Sequence, residues 1–246
     1  MPIRVIHDGP LDGPANMARD EALLESVGAG ESPPTLRLYR WDPPTISLGC
    51  FQPYADHAAL APPAGGLPVV RRITGGGAIL HDGELTYAIA LPAGHELVRG
   101  NPLRLYEVVH DALIECLRRL DVPAYRGCPS DGSGPTRGPF FCFARRHCLD
   151  VLIGPDKLAG SAQRRTRRGI LQHGSILWER RYDQQPSAAL GPLLNLDMEE
   201  FAARWLAALA DVTCQTFSPS AWTAAELHLA ETLRAKCAGD EWTLRR

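Results

Sequence analysis

Between residues 16 and 27 apolar side chains recur at helical spacing, with Met17, Ala18, Leu23, Leu24 and Val27 set around Asp20 and Glu21. This predicts an amphipathic first helix, ended by the glycines and prolines of residues 28–34. The period then changes to two. Residues 35–41 and 45–51 alternate apolar and polar, as half-buried strands do, with Asp42-Pro43-Pro44 as the turn between them. Residues 54–68, rich in Ala, Pro and Gly, read as a short helix and a loop. Val69 and Val70 lead as a strand into a glycine run, and residues 85–91 return as a strand, which predicts a hairpin with a broad tip. Residues 102–120 carry Leu105, Val108, Val109, Ala112, Leu113, Cys116, Leu117 and Leu120 at i, i+3, i+4 spacing, a helix that packs on a sheet. A Gly-, Pro- and Ser-rich loop is expected at 126–139. Strands follow at 149–153, 157–163 and 169–177, the last two joined by a hairpin carrying four arginines. Helices are expected at 198–209 and 221–237. Strands in the first two thirds, with helices between and after them, predict an α+β fold. Its sheet is mixed and largely antiparallel, flanked by helices, and not doubly wound.

Composition narrows the function classes. A chain of 246 residues supports one large domain or two small ones. The formal net charge of −2 argues against nucleic-acid binding by broad phosphate neutralisation. One local basic patch stands out, Arg164-Arg165-Thr166-Arg167-Arg168, either a solvated hairpin tip or a dock for an acidic carrier protein. No run of about twenty apolar residues is present, so no membrane partner is expected. Residues 1–20 lack the basic-then-apolar pattern of a signal peptide, which points to the cytoplasm. The seven cysteines are odd in number and show no C-x-x-C spacing. That favours reduced thiols, most of them small buried groups, over a disulfide framework or a metal site.

The candidate chemistry centres on Arg71-Arg72-Ile73-Thr74-Gly75-Gly76-Gly77-Ala78-Ile79-Leu80-His81-Asp82-Gly83-Glu84-Leu85-Thr86-Tyr87. Three glycines without Cβ atoms let a phosphate or acyl carbonyl approach main-chain donors, and Arg71 and Arg72 stand ready to grip an anion. The spacing matches neither a P-loop nor G-x-G-x-x-G, and taken alone the stretch is equally a glycine-rich hairpin loop.

Three blocks in order give that stretch a context. They are Arg71-Arg72-x-Thr74-Gly75-Gly76-Gly77-Ala78-x-x-His81-Asp82 with Glu84-Leu85-Thr86-Tyr87, then Lys157-Leu158-Ala159-Gly160-Ser161-Ala162-Gln163-Arg164, then Gln172-His173-Gly174-Ser175-Ile176-Leu177. Together with the opening around Asn16-Met17-Ala18-x-Asp20-Glu21, the chain resembles the lipoate/octanoate attachment family, which shares its catalytic domain with biotin protein ligases. The resemblance covers residues 16–179 and implies one catalytic domain over 1–246, with a mainly helical part at 180–246.

The family holds two chemistries. Lipoate protein ligases use ATP and Mg²⁺ to make an acyl-adenylate. Octanoyltransferases take octanoate from acyl carrier protein through an acyl-cysteine and need no cofactor. Both deliver to a lysine of a lipoyl carrier domain, such as the glycine-cleavage H protein or a dehydrogenase E2 subunit. Cys142-Phe143, fifteen positions before Lys157, resembles the cysteine motif of the ligase-like octanoyltransferases. The resemblance then makes Cys142 the nucleophile and Lys157 the cation that holds the thiolate and the developing oxyanion. Cys148 is the other candidate nucleophile. Substrate contacts are implied at Arg71, Arg72, Thr74, Gly75, Gly76, Gly77, His81, Asp82, Gly160, Ser161, Ala162, His173, Gly174 and Ser175, with no metal ligand among them and a monomer expected. An apolar pocket for seven methylene-sized steps would contribute roughly 5 kcal/mol before ordering costs. Two features depart from the family pattern: Ala144-Arg145-Arg146-His147 replaces an acid and a Pro-Ser step, and Leu149-Asp150 stands where a tyrosine-acid pair is common.

Overall fold

A computed structural model describes residues 2–127 and 138–245. Strand β1 (Ile3–Leu11) leads into helix α1 (Gly13–Ala29), then β2 (Thr35–Trp41), β3 (Thr45–Leu48) and the short α2 (Tyr54–Ala58). Next come β4 (Val69–Arg71), β5 (Ile79–His81), β6 (Glu84–Pro92), α3 (Arg104–Arg118) and β7 (Ala124–Arg126). The chain continues through β8 (Val151–Ile153), β9 (Asp156–Arg165) and β10 (Gly169–Leu177). It ends in α4 (Met198–Thr213), β11 (Phe217–Pro219), α5 (Ala224–Ala238) and α6 (Asp240–Thr243).

Eight strands form one sheet in the order β11-β1-β2-β6-β10-β9-β8-β7, and β4-β3-β5 form a second. The large sheet is mixed. β1 runs parallel to β11 and β2, and the remaining pairs are antiparallel. The expected α+β architecture is therefore the one observed.

The period-two pattern decides which face each side chain takes. On β6, Leu85, Tyr87, Ile89 and Leu91 pack with Leu105, Val109, Leu113 and Leu117 of α3 and Phe201 and Trp205 of α4. On the opposite face Ala88, Ala90, Tyr39, Trp41 and Leu171 meet Met17, Leu23, Leu24 and Val27 of α1. The α1 side also receives the polar residues of alternate strand positions, and there the site forms. α1 itself is anchored by Asp12, whose carboxylate accepts from the Ala15 amide at 2.8 Å. No helix among the described residues is long and apolar enough to cross a membrane.

Three expectations from the sequence need correction. The hairpin of 69–70 with 85–91 does not exist: β4 pairs with β3 in the small sheet, and β6 joins the large one between β2 and β10. Alternation fixes which residues face a core but not which strand is the partner. β1 lies in a segment to which the sequence patterns assign no element, and it carries His7-Asp8-Gly9-Pro10 as an irregularity in its register with β2. β11 is only three residues long and gives no period to read. The strand expected at 45–51 stops at Leu48, and that at 149–153 starts at Val151. The helices at 104–118, 198–213 and 224–238 and the β9–β10 arginine hairpin form where the pattern places them. Of the expected loop at 126–139, residues 128–137 lie outside the described residues.

Candidate active site

Between the α1-side face of the large sheet and the small sheet lies a narrow slot. It is lined by Met17, Tyr39, Trp41, Arg72, Gly75, Gly76, Ile79, His81, Thr86, Cys142, Phe143, Gly160, Ser161, Ala162, His173, Gly174 and Ser175. It encloses about 450 Å³ of empty space, in a shape so thin that little of it would take even a water molecule. Such a slot suits a thin chain rather than a bulky group. A second, open groove with about 950 Å³ of empty space adjoins it, lined by Gly77, Tyr106, His110, Arg145, Arg146, His147, Asp150 and Lys157 among others. Gly75, Gly76, Cys142, Ser161 and Ala162 line both spaces, so Cys142 stands at their junction.

Cys142 opens a single 3-10 turn, Cys142–Ala144. Its amide donates to the Ala78 carbonyl at 2.7 Å, and the Ala78 amide donates to the Phe140 carbonyl at 3.0 Å, which stitches this turn to the end of the glycine run. Lys157 reaches it from β9: Nζ lies 3.6 Å from Cys142 Sγ and 3.4 Å from its carbonyl oxygen. The ammonium is 3% exposed and is balanced by the Asp150 carboxylate at 2.9 Å. A buried cation needs such a partner. Held there, the ammonium faces the sulfur and can stabilise negative charge that develops beside it. Gly160 is required here, because a Cβ would lie 2.5 Å from Lys157 Cε and 2.7 Å from Nζ.

Behind the slot, polar groups of three strands are turned on one another. The Glu84 carboxylate accepts from His81 Nδ1, from Thr86 Oγ1 at 2.8 Å and from Ser175 Oγ at 2.8 Å. Trp41 Nε1 donates to Thr86 Oγ1 at 2.9 Å, and its ring stacks on His81 with centroids 3.8 Å apart. His81 Nε2 meets Ser47 Oγ at 2.6 Å. Burial lowers the His81 pKa, with the Glu84 carboxylate opposing, so the ring is a neutral wall of the slot. His173 bridges Asp20 of α1 at 2.9 Å and Thr74 Oγ1 at 2.7 Å. Asp20 is held in turn by Arg37 at 2.8 Å and the Tyr39 hydroxyl at 2.8 Å.

The two adjacent arginines do different work from that expected. Arg71 does not face the slot. It is fully buried and donates to the carbonyls of Gly49, Gln52, Thr243 and Arg245 at 2.7–3.0 Å, pinning the C-terminal segment. Arg72 lines the slot but grips the loop: it donates to the carbonyls of Ser47 at 2.7 Å and of Gly75 and Gly77 at 2.9 Å each. Burial pushes its pKa down to about 10, against an opposing pull from Cys142. Asp82 is also outside the slot, ion-paired with Arg181 at 2.6 Å. Thr74 does not line the slot but bonds two residues that do, His173 and Arg72, and Gly77 lines the outer groove alone. The other expected contacts, Gly75, Gly76, His81, Gly160, Ser161, Ala162, His173, Gly174 and Ser175, converge on the slot. Of the cysteines, Cys50, Cys116 and Cys237 are buried, while Cys148 and Cys214 are exposed. Cys148 lines neither space and has His147 Nδ1 at 3.8 Å, so the geometry favours Cys142 over it.

The model of the lipoyl protein ligase A/B catalytic domain matches residues 12–210. The chain belongs to that family. It is 37% identical to the octanoyltransferase LipM of Kyrpidia tusciae, over 99% of this chain and 98% of that protein. It is 34% identical to LipM of Moorella thermoacetica at the same coverages, and 31% to LipM of Staphylococcus aureus over 98% of each. Among solved structures, a lipoate-protein ligase A bound with ATP superposes with a TM-score of 0.80 at 23% identity over 99% of each chain. The bipartite lipoate protein ligase of Thermoplasma acidophilum does so with 0.76 at 21% identity, over 100% of this chain and 98% of that one. These structures establish the lipoate ligase catalytic fold.

Within that family fold, the sequence patterns give three groups at the site no role. Asp150 stands in the block that departs from the family, yet it neutralises Lys157. Asp20 reads as one more polar position of α1. His110 reads as part of the packing face of α3, but it is 2% exposed and lines the outer groove. A histidine on an apolar helix face gives no local signal of what it meets across the sheet.

Proposed function

We propose that the chain is an octanoyltransferase of protein lipoylation, acting through an octanoyl thioester on Cys142. The reading rests on one observation: a partly exposed thiol 3.6 Å from a buried lysine ammonium, set at the meeting point of a thin slot and an open groove. The name shared by the full-length relatives, octanoyltransferase LipM, supports it.

In the first half-reaction the Cys142 thiolate attacks the thioester carbonyl of octanoyl-acyl carrier protein. The new C–S bond forms, and the carrier's thiolate leaves and takes a proton. Lys157 Nζ, beside both the sulfur and the Cys142 carbonyl, stabilises the negative charge first on sulfur and then on the tetrahedral oxygen. The acyl chain lies in the slot, whose side chains part to admit it. In the second half-reaction the ε-amine of a lysine on a lipoyl carrier domain attacks the octanoyl-Cys142, releasing the thiolate. A domain of this kind is named with the T. acidophilum ligase. The slot, Cys142 and Lys157 belong to one catalytic domain, working as a monomer in the cytoplasm. This route needs neither ATP nor a metal. The exposed arginines 164, 165, 167 and 168, at the far end of β9 from Lys157, would receive an acidic carrier.

Intact mass spectrometry tests this. Mixed with octanoyl-acyl carrier protein without ATP, the protein should gain about 126 Da, one octanoyl group replacing a proton. The gain should persist in Cys148→Ala and vanish in Cys142→Ala. Product formed only with ATP and free acid, and no adduct, would overturn the reading.

A further inference from the structure

Beneath the Cys142 junction runs a chain of hydrogen bonds whose direction follows link by link. His110 Nδ1 bonds the Leu149 carbonyl. A carbonyl only accepts, so Nδ1 carries the proton and Nε2 of the neutral ring is an acceptor. Burial pushes His110 down to about 4, against the Leu149 bond and the Asp150 charge, which keeps the ring neutral near pH 7. Nε2 lies 2.6 Å from Ser161 Oγ, which therefore donates its single proton to it. On the other side Gln163 Nε2 donates to Gln172 Oε1 at 2.7 Å, and Gln172 Nε2 donates to the Tyr87 oxygen at 2.9 Å. The Tyr87 hydroxyl is left to donate to Ser161 Oγ, 2.5 Å away.

Ser161 has thus given its proton to His110 and taken one bond from Tyr87. A hydroxyl oxygen has two acceptor sites, so one remains. Ser161 lines both the slot and the groove beside Cys142. At that junction it can accept and cannot donate. It is unsuited to an oxyanion and suited to an N–H. Gly174, directly opposite Ser161 on β10, preserves the arrangement: a Cβ there would stand 2.5 Å from Ser161 Oγ and 2.7 Å from Tyr87 Cε1.

We propose that Ser161 Oγ receives the proton of the attacking amine in the second half-reaction, with His110 the positioning residue that holds Ser161 as an acceptor and takes its proton onward. The inference rests on the acyl-cysteine reading. The carrier lysine enters as the free amine, and its nitrogen bonds to the thioester carbonyl. As the C–S bond breaks, the N–H proton passes to Ser161 Oγ while the Ser161 proton passes to His110 Nε2. The Cys142 thiolate then recovers a proton along the same path, leaving amide and free thiol. The low basicity of the buried imidazole makes that return favourable.

The experiment starts from octanoyl-Cys142 enzyme freed of donor. It is chased in single turnover either with a lipoyl carrier domain or with hydroxylamine, a small nucleophile that is unprotonated at neutral pH. Ser161→Ala should slow transfer to lysine by about 10²-fold. Cleavage of its octanoyl-Cys142 by hydroxylamine should be slowed far less, so that the ratio of lysine to hydroxylamine rates falls by about 10²-fold relative to wild type. His110→Phe should slow the lysine step by about tenfold, again sparing hydroxylamine. A melting temperature close to wild type is the check on folding. Should Ser161→Ala fail it, Tyr87→Phe combined with Ser161→Ala removes the stranded donor and gives the same reading. Unchanged lysine transfer, or equal slowing of both nucleophiles, overturns the proposal alone. No adduct on wild-type Cys142 removes the acyl-cysteine reading and this one with it.

Discussion

The slot and the groove meet at one sulfur but are built on opposite principles. In the slot wall, Glu84 Oε1 gathers His81, Thr86 and Ser175 while Asp20 holds His173; Glu84 Oε2 is buried without a partner, and none of the six residues is more than 6% exposed. A network of that kind fixes shape and leaves little reactive. In the groove, Arg145, Arg146 and Lys157 present cations, and only Lys157 has a carboxylate partner among the described residues. The lesson is one of division: in the proposed reaction the closed side would hold an apolar chain still and the charged side would meet anionic carriers and do the chemistry, with Cys142 reactive because it touches both.

The largest break in that comparison removes the junction itself. Cys142→Ala should lower octanoyl transfer by about 10³-fold or more, measured as carrier-domain modification, with the melting temperature close to wild type. Cys148→Ala should stay within about twofold. A fully active Cys142→Ala would make the two spaces unrelated to catalysis.

Next in size is the ion pair that links the groove to the sulfur. Lys157→Met leaves Asp150 buried without its cation and should cost about 3–5 kcal/mol in denaturant unfolding. Adding Asp150→Leu should recover most of the stability while the transfer rate stays low, because an apolar pair replaces the ion pair but not the charge at Cys142. Recovery of both would reduce Lys157 to a structural role.

How much of this division was legible in the residues depends on distance along the chain. The α+β class, α3 and the β9–β10 hairpin follow from period and turn chemistry, which are local. Cys142, Lys157 and the Gly160-Ser161-Ala162 strand were visible through motif resemblance. Arg71 and Arg72 were not separable, since two neighbouring arginines on a strand end look alike. Period two sends them to opposite sides, and only the partners, Thr243 and Arg245 for one and Gly75 and Gly77 for the other, tell them apart. Asp150 and His110 stayed hidden for the same reason: each is defined by what it meets across the fold.

His110 sharpens the comparison, because it lines the groove yet is buried like the slot residues. Its folded pKa of about 4 lies below the unfolded value near 6.5. In that window the unfolded chain binds a proton that the folded protein refuses, so stability rises with pH and is lost on acidification. The loss from this group should reach about 2 kcal/mol at pH 5. In unfolding titrations from pH 7 to pH 5, His110→Phe should flatten the acid limb by that amount, with His81 and His57, whose pKa values burial also lowers, accounting for part of the remainder. An unchanged limb would mean that His110 is hydrated in solution and belongs to the groove in environment as well as position.

The smallest effect probes the far end of the charged side. Arg164, Arg167 and Arg168 are exposed, and Arg165 is tied to the carbonyls of Val98 and Pro102 at 3.2 Å. Reversing the three others to Glu leaves the slot and Cys142 untouched, so acylation by a small octanoyl thioester should be unchanged. The second-order rate with an acidic carrier should fall by about tenfold at low salt, since long-range steering acts on association. The deficit should shrink toward physiological ionic strength, where the Debye length is about 8 Å. Equal losses with the small thioester and the carrier would mean that the arginines hold β9 in place and do not recruit a partner.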